Sequence, residues 1–136
     1  MAKLTIELVT PERHVLAEED VDVVIAPGIE GELAVLPQHA PLVTELRPGA
    51  IVLRRGGEEE ILAVSGGFLE VLGDTVTVLA DTSERSEDIN LERAQEARDR
   101  ALEAMDMTMT PSEVLEARIS LLRALARIRA AQRRRR

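Results

Sequence analysis

The sequence predicts an antiparallel β-sandwich of about ten short strands, followed by an antiparallel hairpin of two α-helices. Two observations carry this prediction. As far as Asp81, short apolar or alternating segments recur at near-regular spacing between turns, with no helical pattern between them. Beyond Asp81 the apolar residues recur at helical spacing, and charged residues fill the other positions. We therefore predict a sandwich domain over residues 1–86 and a helical hairpin domain over residues 87–136.

Eight strand segments stand out in the first domain, and several of them end at a Pro or Gly that supplies turn geometry. They are Leu4–Leu8, Val21–Ile25, Leu33–Leu36, Leu42–Leu46, Ile51–Leu53, Ile61–Val64, Phe68–Leu72 and Thr75–Leu79. Neighbouring parallel strands need a long crossover, usually a helix, and none is visible between these segments. The pattern therefore favours an antiparallel sandwich or barrel over a βαβ arrangement.

The second domain has a clear helix start. Thr110 can cap a helix, Pro111 suits its first position, and Glu113 completes a capping box. Because the link Asp106–Met109 is short, the apolar stripes of the two helices are expected to cover each other. The stripes are Leu91, Ala94, Ala97, Ala101, Leu102 and Met105, then Leu115, Ile119, Leu122, Leu125 and Ile128. So small a pair is marginally stable alone, and it must dock on the sandwich, on a partner, or on each in turn.

Charge is distributed unevenly along the 136 residues, whose net charge is −8. Residues 1–86 hold 6 basic and 16 acidic side chains, whereas residues 87–136 hold 11 and 9. The asymmetry indicates two modules with different partners, although an arginine-rich helix end also complements the helix dipole without any partner. The start does not resemble a signal peptide, and no apolar run is long enough to span a bilayer. We expect membrane contact only through a partner.

No residue pattern here is typical of an enzyme. A Gly-Lys-Ser/Thr phosphate loop is missing, and Ala63 stands where a nucleophile elbow needs its first glycine. The chain lacks cysteine, and His14 and His39 are too few for a metal site without it. Glu30 and Glu32 would share one face of an extended segment, but a surface loop explains them equally well. We predict a non-catalytic protein.

Three parts of the chain resemble the epsilon subunit family of bacterial F-type ATP synthases. Gly28–Leu42 contains a Gly-Glu-Leu segment followed by a Pro-x-His-x-Pro turn. Val64–Val71, with Val76–Thr82 after it, is similar to the family's second motif, and Ile89–Ala94 is similar to the start of its first helix. The matches follow the family's order, and a sandwich followed by a helical hairpin is the family's architecture.

The resemblance implies a non-catalytic rotor subunit of the central stalk, peripheral on the cytoplasmic side of the inner cell membrane. It would bind the gamma subunit, with Glu32 and His39 at the c-ring or gamma contact, and would couple proton-driven c-ring rotation to ATP synthesis. The hairpin would extend along gamma to the catalytic beta (and alpha) subunits and inhibit ATP hydrolysis there. No cofactor is required.

Some bacterial relatives bind regulatory ATP on the folded hairpin, and the resemblance carries that site to six residues here. They are Glu84, Asn90, Arg93, Arg100, Arg123 and Arg127. Within each helix the two arginines are spaced so that they share a face, which would let antiparallel packing build a phosphate cradle. Asn90 stands where the family motif has aspartate, so it keeps the capping ability but loses the charge. Arginines on merely solvated helix faces are the alternative explanation.

The competing interpretation is a free-standing β-sandwich binding module whose basic helical tail captures nucleic acid or another acidic partner. Nucleic-acid binding needs a basic face, and single strands also need aromatic side chains on which bases stack. The net negative charge and the presence of Phe68 as the only aromatic residue oppose it. We therefore expect no nucleic-acid partner.

Overall fold

The structure, a computed structural model, describes residues 2–107 and 110–133. Thr108 and Met109 of the predicted link, and residues 134–136 of the predicted hairpin domain, lie outside the described residues. The strands are β1 (Leu4–Val9), β2 (His14–Val21), β3 (Val23–Gly28), β4 (Gly31–Val35), β5 (Leu42–Leu46), β6 (Gly49–Arg55), β7 (Glu58–Val64), β8 (Gly67–Leu72), β9 (Thr75–Ala80) and β10 (Ser83–Arg85). A 3₁₀ turn, Ser86–Asp88, leads to the helices α1 (Leu91–Met105) and α2 (Pro111–Arg133).

The strands pair continuously and fold over into a sandwich. The strand order is β10-β7-β6-β3-β5-β8-β9-β1-β2, and β4 pairs with β3 as a hairpin. Within the described residues every pairing is antiparallel except that of β1 with β9, which is parallel. The predicted sandwich of about ten strands followed by two helices is confirmed, with one parallel pair added.

Two strands, β2 and β10, have no counterpart among the eight predicted segments. β2 lies at the edge of the sheet, and its polar side chains hide the alternation that marks a half-buried strand. β10 has only three residues, all polar, and forms by pairing with β7, where Arg85 also donates to Glu60. In addition, the predicted strand Val21–Ile25 is interrupted at Asp22, where β2 ends and β3 begins.

The interior of the sandwich is built from strand residues alone among the residues the structure describes. In β6, Ile51 and Leu53 point into this interior, and in β7, Leu62 and Val64 do the same. The intervening residue Val52 is also buried, but it belongs to a different cluster on the outer face. The sandwich core is therefore complete without either helix.

That second cluster joins the outer face of β3, β6 and β7 to α2. Val52 and Ile61 pack there with Ile128, Ala130 and Ala131 of α2. α2 contacts β6 and β7 directly, whereas α1 packs mainly along α2. The two helices thus form a hairpin that is docked on the sandwich through a separable surface. Neither described helix is both long and apolar enough to cross a membrane.

The expectation that the predicted apolar stripes cover each other is wrong for the largest side chains. α2 buries six small or medium residues, namely Ala117, Ala124, Ala126, Ile128, Ala130 and Ala131. Leu115 is 57% exposed, and Ile119, Leu122, Leu102 and Met105 are also exposed. Small side chains allow a helix to approach its neighbours closely, and here they take the buried positions that the pattern assigned to leucines.

Side chains cap both helices. The amide of Glu113 donates to the Thr110 hydroxyl over 3.3 Å, and this hydroxyl donates to the Glu113 carboxylate over 2.9 Å. Asn90 caps α1, where its side-chain oxygen accepts from the Arg93 amide at 3.0 Å. The predicted helix start at Pro111 is confirmed.

The start of β8 depends on a glycine. Gly67 has φ +133°, and a Cβ there would collide with the Leu79 carbonyl oxygen and lie 2.8 Å from the Ala80 Cα. We predict that Gly67→Ala lowers the free energy of unfolding by about 3 kcal/mol, because backbone strain and overpacking add. Denaturant unfolding of the full chain measures this value.

Gly73→Ala is the matched control for that substitution. Gly73 also has a positive φ, +61°, but no heavy atom lies within 4 Å of the position that a Cβ would take there. Only the cost of the positive φ remains, so Gly73→Ala is expected to lower the free energy of unfolding by about 1 kcal/mol. Equal losses for the two variants would contradict the steric account of Gly67.

Candidate functional site

The largest group of predicted site residues that the structure brings together lines a cavity between α2 and the β7–β10 edge of the sandwich. Its volume is about 250 Å³, and Glu84, Arg123 and Arg127 line it. Pockets that enclose a drug-sized ligand typically measure about 300–1,000 Å³. In this state the cavity therefore has room for only part of a nucleotide.

An ion pair spans this cavity from the sandwich to the hairpin. The Arg127 guanidinium donates through Nε to one carboxylate oxygen of Glu84 at 2.8 Å and through Nη2 to the other at 3.3 Å. Both side chains are about one-third exposed, so solvent screens the attraction and its contribution to stability is modest. The pair connects β10 with α2, and it also occupies the arginine that a phosphate group would need.

The other three residues of the predicted ATP site lie outside this cavity. Asn90 uses its side-chain oxygen to cap α1, as described above. Arg93 and Arg100 are exposed on α1 and do not line the cavity. The structure thus brings together one acid and the two arginines of α2, but it does not unite the arginine pairs of both helices.

Three hydroxyl groups in the cavity wall were not among the predicted site residues. Thr82 donates to Ser65 at 2.6 Å, and the hydroxyl of Ser83 is buried without a hydrogen-bond partner among the described residues. Hydroxyl groups of this kind can donate to a bound oxyanion. The sequence contains no signal for them, because only the pairing of β10 with β7 brings Ser83 and Ser65 to one wall.

The arginine at the far end of α2 contacts a second acid of the sandwich. A hydrogen bond from Arg54, together with the charges of Arg133 and Arg54, holds the pKa of Glu59 below its usual range. Arg133 lies 3.8 Å from the Glu59 carboxylate. Because the folded-state pKa is lowered, this attraction is present at neutral pH and disappears as the pH falls through that lowered pKa.

Glu32 lies on β4, and His39 lies on the loop that joins β4 to β5. Glu32 is exposed, opposite Pro27 of β3. His39 is half-buried, and its Nδ1 donates to the Ala40 carbonyl at 2.7 Å. The preceding amide, that of Gln38, donates to Asp74 at 2.7 Å and ties the loop to the β8–β9 turn.

No group of three potential metal ligands occurs within residues 2–107 and 110–133.

An exposed apolar patch lies on the outer face of β5, β8 and β9, the half of the sandwich without the hairpin. We call its four members, Val43, Phe68, Leu72 and Leu79, the outer patch. Phe68 is 54% exposed and is paired in register with Leu79. Exposed apolar side chains grouped on one face of a sheet are typical of an interaction surface. The sequence pattern does not distinguish such an outward position from an inward one.

Both halves of the chain match models of one protein family. The model described as the beta-sandwich domain of the ATP synthase delta/epsilon chain matches residues 3–86, and the one described as its long alpha-helix domain matches residues 87–132. The chain belongs to the ATP synthase delta/epsilon family. The resemblance found in the sequence motifs is therefore confirmed.

Individual relatives agree with the family match. An ATP synthase epsilon chain of Dehalococcoides mccartyi is 52% identical over 99% of this chain and 96% of the relative. One from Moorella thermoacetica is 51% identical over 96% of this chain and 98% of the relative. The fold is similar to that of a chain in the mitochondrial ATP synthase of Euglena gracilis, with TM-score 0.84 and 23% identity over 93% and 79% of the two chains. A chain in the central stalk and c-ring structure of the Tetrahymena thermophila enzyme gives TM-score 0.70 and 15% identity over 95% and 96%.

In this member of the ATP synthase delta/epsilon family, mutation can test whether the Glu84–Arg127 pair holds the hairpin on the sandwich. We predict that Arg127→Ala speeds amide hydrogen exchange of α2 about two- to fivefold, because an exposed ion pair contributes only about 0.2–1 kcal/mol. Glu84→Gln should have a similar effect. Native-state hydrogen exchange of the full chain measures both.

Arg118→Ala is the matched control on the same helix. Arg118 is exposed, and no carboxylate oxygen lies within 4 Å of it among the described side chains. Its removal should leave the exchange of α2 unchanged. Identical exchange in Arg127→Ala and Arg118→Ala would show that the ion pair does not hold the hairpin.

Proposed function

We propose that the chain acts as a non-catalytic rotor subunit in the central stalk of a bacterial F-type ATP synthase. It couples proton-driven rotation of the c-ring to ATP synthesis together with the gamma subunit. The single observation that carries this proposal is the likeness of both domains, over nearly the whole chain, to ATP synthase epsilon chains. In this role the chain is peripheral on the cytoplasmic side of the inner membrane and reaches the membrane only through the complex.

The outer patch is the surface we assign to the gamma subunit. Phe68 and Leu79 project from neighbouring strands of a rigid sheet, and aromatic side chains on such a surface are effective anchors in protein interfaces. Glu45 pairs with Phe68 and supplies a polar rim, whereas Glu70, opposite Val43 and between Phe68 and Leu72 on β8, places a carboxylate within the patch. The hairpin covers the other half of the sandwich, so this face stays accessible while the hairpin is docked.

Glu32 and His39 are the residues we assign to the contact with the c-ring or gamma. The loop that carries His39 is bracketed by Pro37 and Pro41, and its Gln38 amide is held by Asp74. Proline restricts the backbone, and the hydrogen bond anchors the loop to the sheet. A stiff loop suits a contact through which torque passes.

The hairpin is the regulatory element in this proposal. Its docking on the sandwich rests on one small apolar cluster and on ion pairs at the rim, so a second docking surface can compete with the first. We propose that the released hairpin, rich in arginine, extends along gamma to the catalytic beta and alpha subunits and inhibits ATP hydrolysis. Attraction to acidic residues there is charge-assisted and weakened by salt.

Removal of the hairpin tests this role. We predict that deletion of residues 89–136 leaves co-purification with gamma and the c-ring intact but raises ATP hydrolysis by the complex. The deletion keeps β10 and the 3₁₀ turn, and the sandwich core contains no helical residue. ATP hydrolysis is compared at equal occupancy of the chain in the purified complex.

Two controls separate the assembly role from the regulatory one. Phe68→Glu in the full chain should abolish co-purification with gamma, whereas Leu102→Glu, an exposed leucine of α1, should not. Unchanged hydrolysis after the deletion, at full occupancy, would rule out the inhibitory hairpin. Retention of gamma by Phe68→Glu would rule out the outer patch as the anchor.

We further propose that regulatory ATP binds at the Glu84–Arg127 cavity and favours the docked hairpin. Arg123 and Arg127 supply guanidinium groups, and the hydroxyl groups of Ser65, Thr82 and Ser83 line the same cavity. A ligand that binds only the docked state stabilises that state by mass action. ATP must displace Glu84 from Arg127 to use both arginines, and Asn90 lacks the charge of the family's aspartate, so we expect weak binding.

Calorimetric titration of the isolated chain tests nucleotide binding. We predict measurable heat at millimolar ATP and, in Arg123→Ala, an affinity lowered about tenfold because a charge-assisted hydrogen bond is lost. Arg118→Ala, on the exposed side of the same helix, should bind ATP normally. No heat from the unmodified chain would dismiss the nucleotide site without affecting the rotor role.

A further inference from the structure

A second cavity, of about 230 Å³, lies where the last turn of α2 meets the sandwich. Three arginines line it, Arg47 from the segment between β5 and β6 and Arg129 and Arg133 from α2. Gln132 adds an amide, and Glu32 is the one carboxylate in the described lining. We call this the arginine cavity. None of its lining residues lines the Glu84–Arg127 cavity, so the two are separate sites.

The positive charge of the arginine cavity is incompletely balanced. Among the described residues, no carboxylate oxygen lies within 4 Å of the Arg47 or Arg129 guanidinium. Arg133 is only loosely paired with Glu59, and its Nε is buried without a hydrogen-bond partner. Three guanidinium groups thus line one cavity with a single carboxylate in its described lining, and the buried Arg133 Nε has an unused donor, which favours the entry of an anion.

The sandwich wall of this cavity is rigid. The Arg47 amide donates to the Pro27 carbonyl at 3.0 Å, and Pro48 follows it in the chain. Gly49 packs so tightly that a Cβ there would lie 2.7 Å from the Pro27 Cβ. The opposite wall belongs to the hairpin. A ligand held by both walls would therefore bridge the two domains.

The chemistry and the size of the cavity indicate a small oxyanion. The planar donor fork of arginine matches the geometry of phosphate oxygens, and the amide of Gln132 can donate as well. A volume of about 230 Å³ holds a tetrahedral anion with some water and, like the Glu84–Arg127 cavity, has room for only part of a nucleotide. Glu32 opposes an anion by like-charge repulsion and moderates its affinity.

We propose that the arginine cavity binds inorganic phosphate and that the bound anion clamps the end of α2 to the sandwich. Phosphate then stabilises the docked hairpin by mass action, because the site is complete only when both walls meet. This inference does not rest on the proposed rotor function, since the site is contained in the isolated chain. The chain thereby gains a phosphate-responsive contact that is distinct from nucleotide binding.

The test is a titration of the full chain with inorganic phosphate at constant ionic strength, followed by calorimetry. Arg47→Ala and Arg129→Ala should each weaken binding about tenfold, because each removes a charge-assisted hydrogen bond. Glu32→Gln should strengthen it severalfold, since the repulsive carboxylate is gone. Arg118→Ala lies outside both cavities and should bind phosphate normally.

A second measurement, hydrogen exchange of the unmodified chain, tests the proposal even if a variant folds poorly. Phosphate should slow hydrogen exchange at residues 128–133 of the unmodified chain, and sodium chloride at the same ionic strength should not. The proposal is overturned if chloride reproduces the protection, or if Arg47→Ala, Arg129→Ala and Glu32→Gln all bind phosphate like the unmodified chain. Opposite effects of the arginine and glutamate variants would establish an anion site, because a purely structural role does not predict them.

Discussion

The apolar outer face of β6 and β7 is the constraint on which the rest of this structure depends. Because Val52 and Ile61 point away from the sandwich interior and are nevertheless buried, another element must cover them. Removing a Val or Ile side chain from water contributes about 1.5–3 kcal/mol, so the uncovered face is costly in solvent. α2 supplies the cover with small side chains, which let it lie close to the sheet but contribute little area each.

In this arrangement, several modest interactions together determine the free energy of hairpin docking. A small apolar cluster lies at the centre, the Glu84–Arg127 pair lies at one side, and the arginine cavity lies at the end of α2. The sandwich core does not share residues with this contact, so the hairpin can change position without unfolding its base. In our proposals nucleotide and phosphate would both act on this docking equilibrium, through different arginines.

The two faces of the sandwich therefore differ in what covers them. The face of β3, β6 and β7 is covered by the chain's own hairpin, whereas the outer patch on β5, β8 and β9 is exposed. The His39 loop adjoins the outer patch beside the β8–β9 turn and is stiffened by its prolines and by Asp74. The separation of the two faces suits a subunit that must stay bound at one surface while another surface changes its contact.

Local chemistry alone identified most of the strands, the change from sandwich to helices and the cap at Thr110, because turns and periodicity are encoded by near neighbours. The family motifs came from resemblance to a known family. Glu84, Arg123 and Arg127 were named by resemblance, and the structure brings these three to one cavity. The strands β2 and β10, the alanine contact of α2 and the arginine cavity emerged only from the tertiary structure. Each depends on which distant segment a residue meets, and that is decided by strand pairing and close helix packing rather than by local pattern.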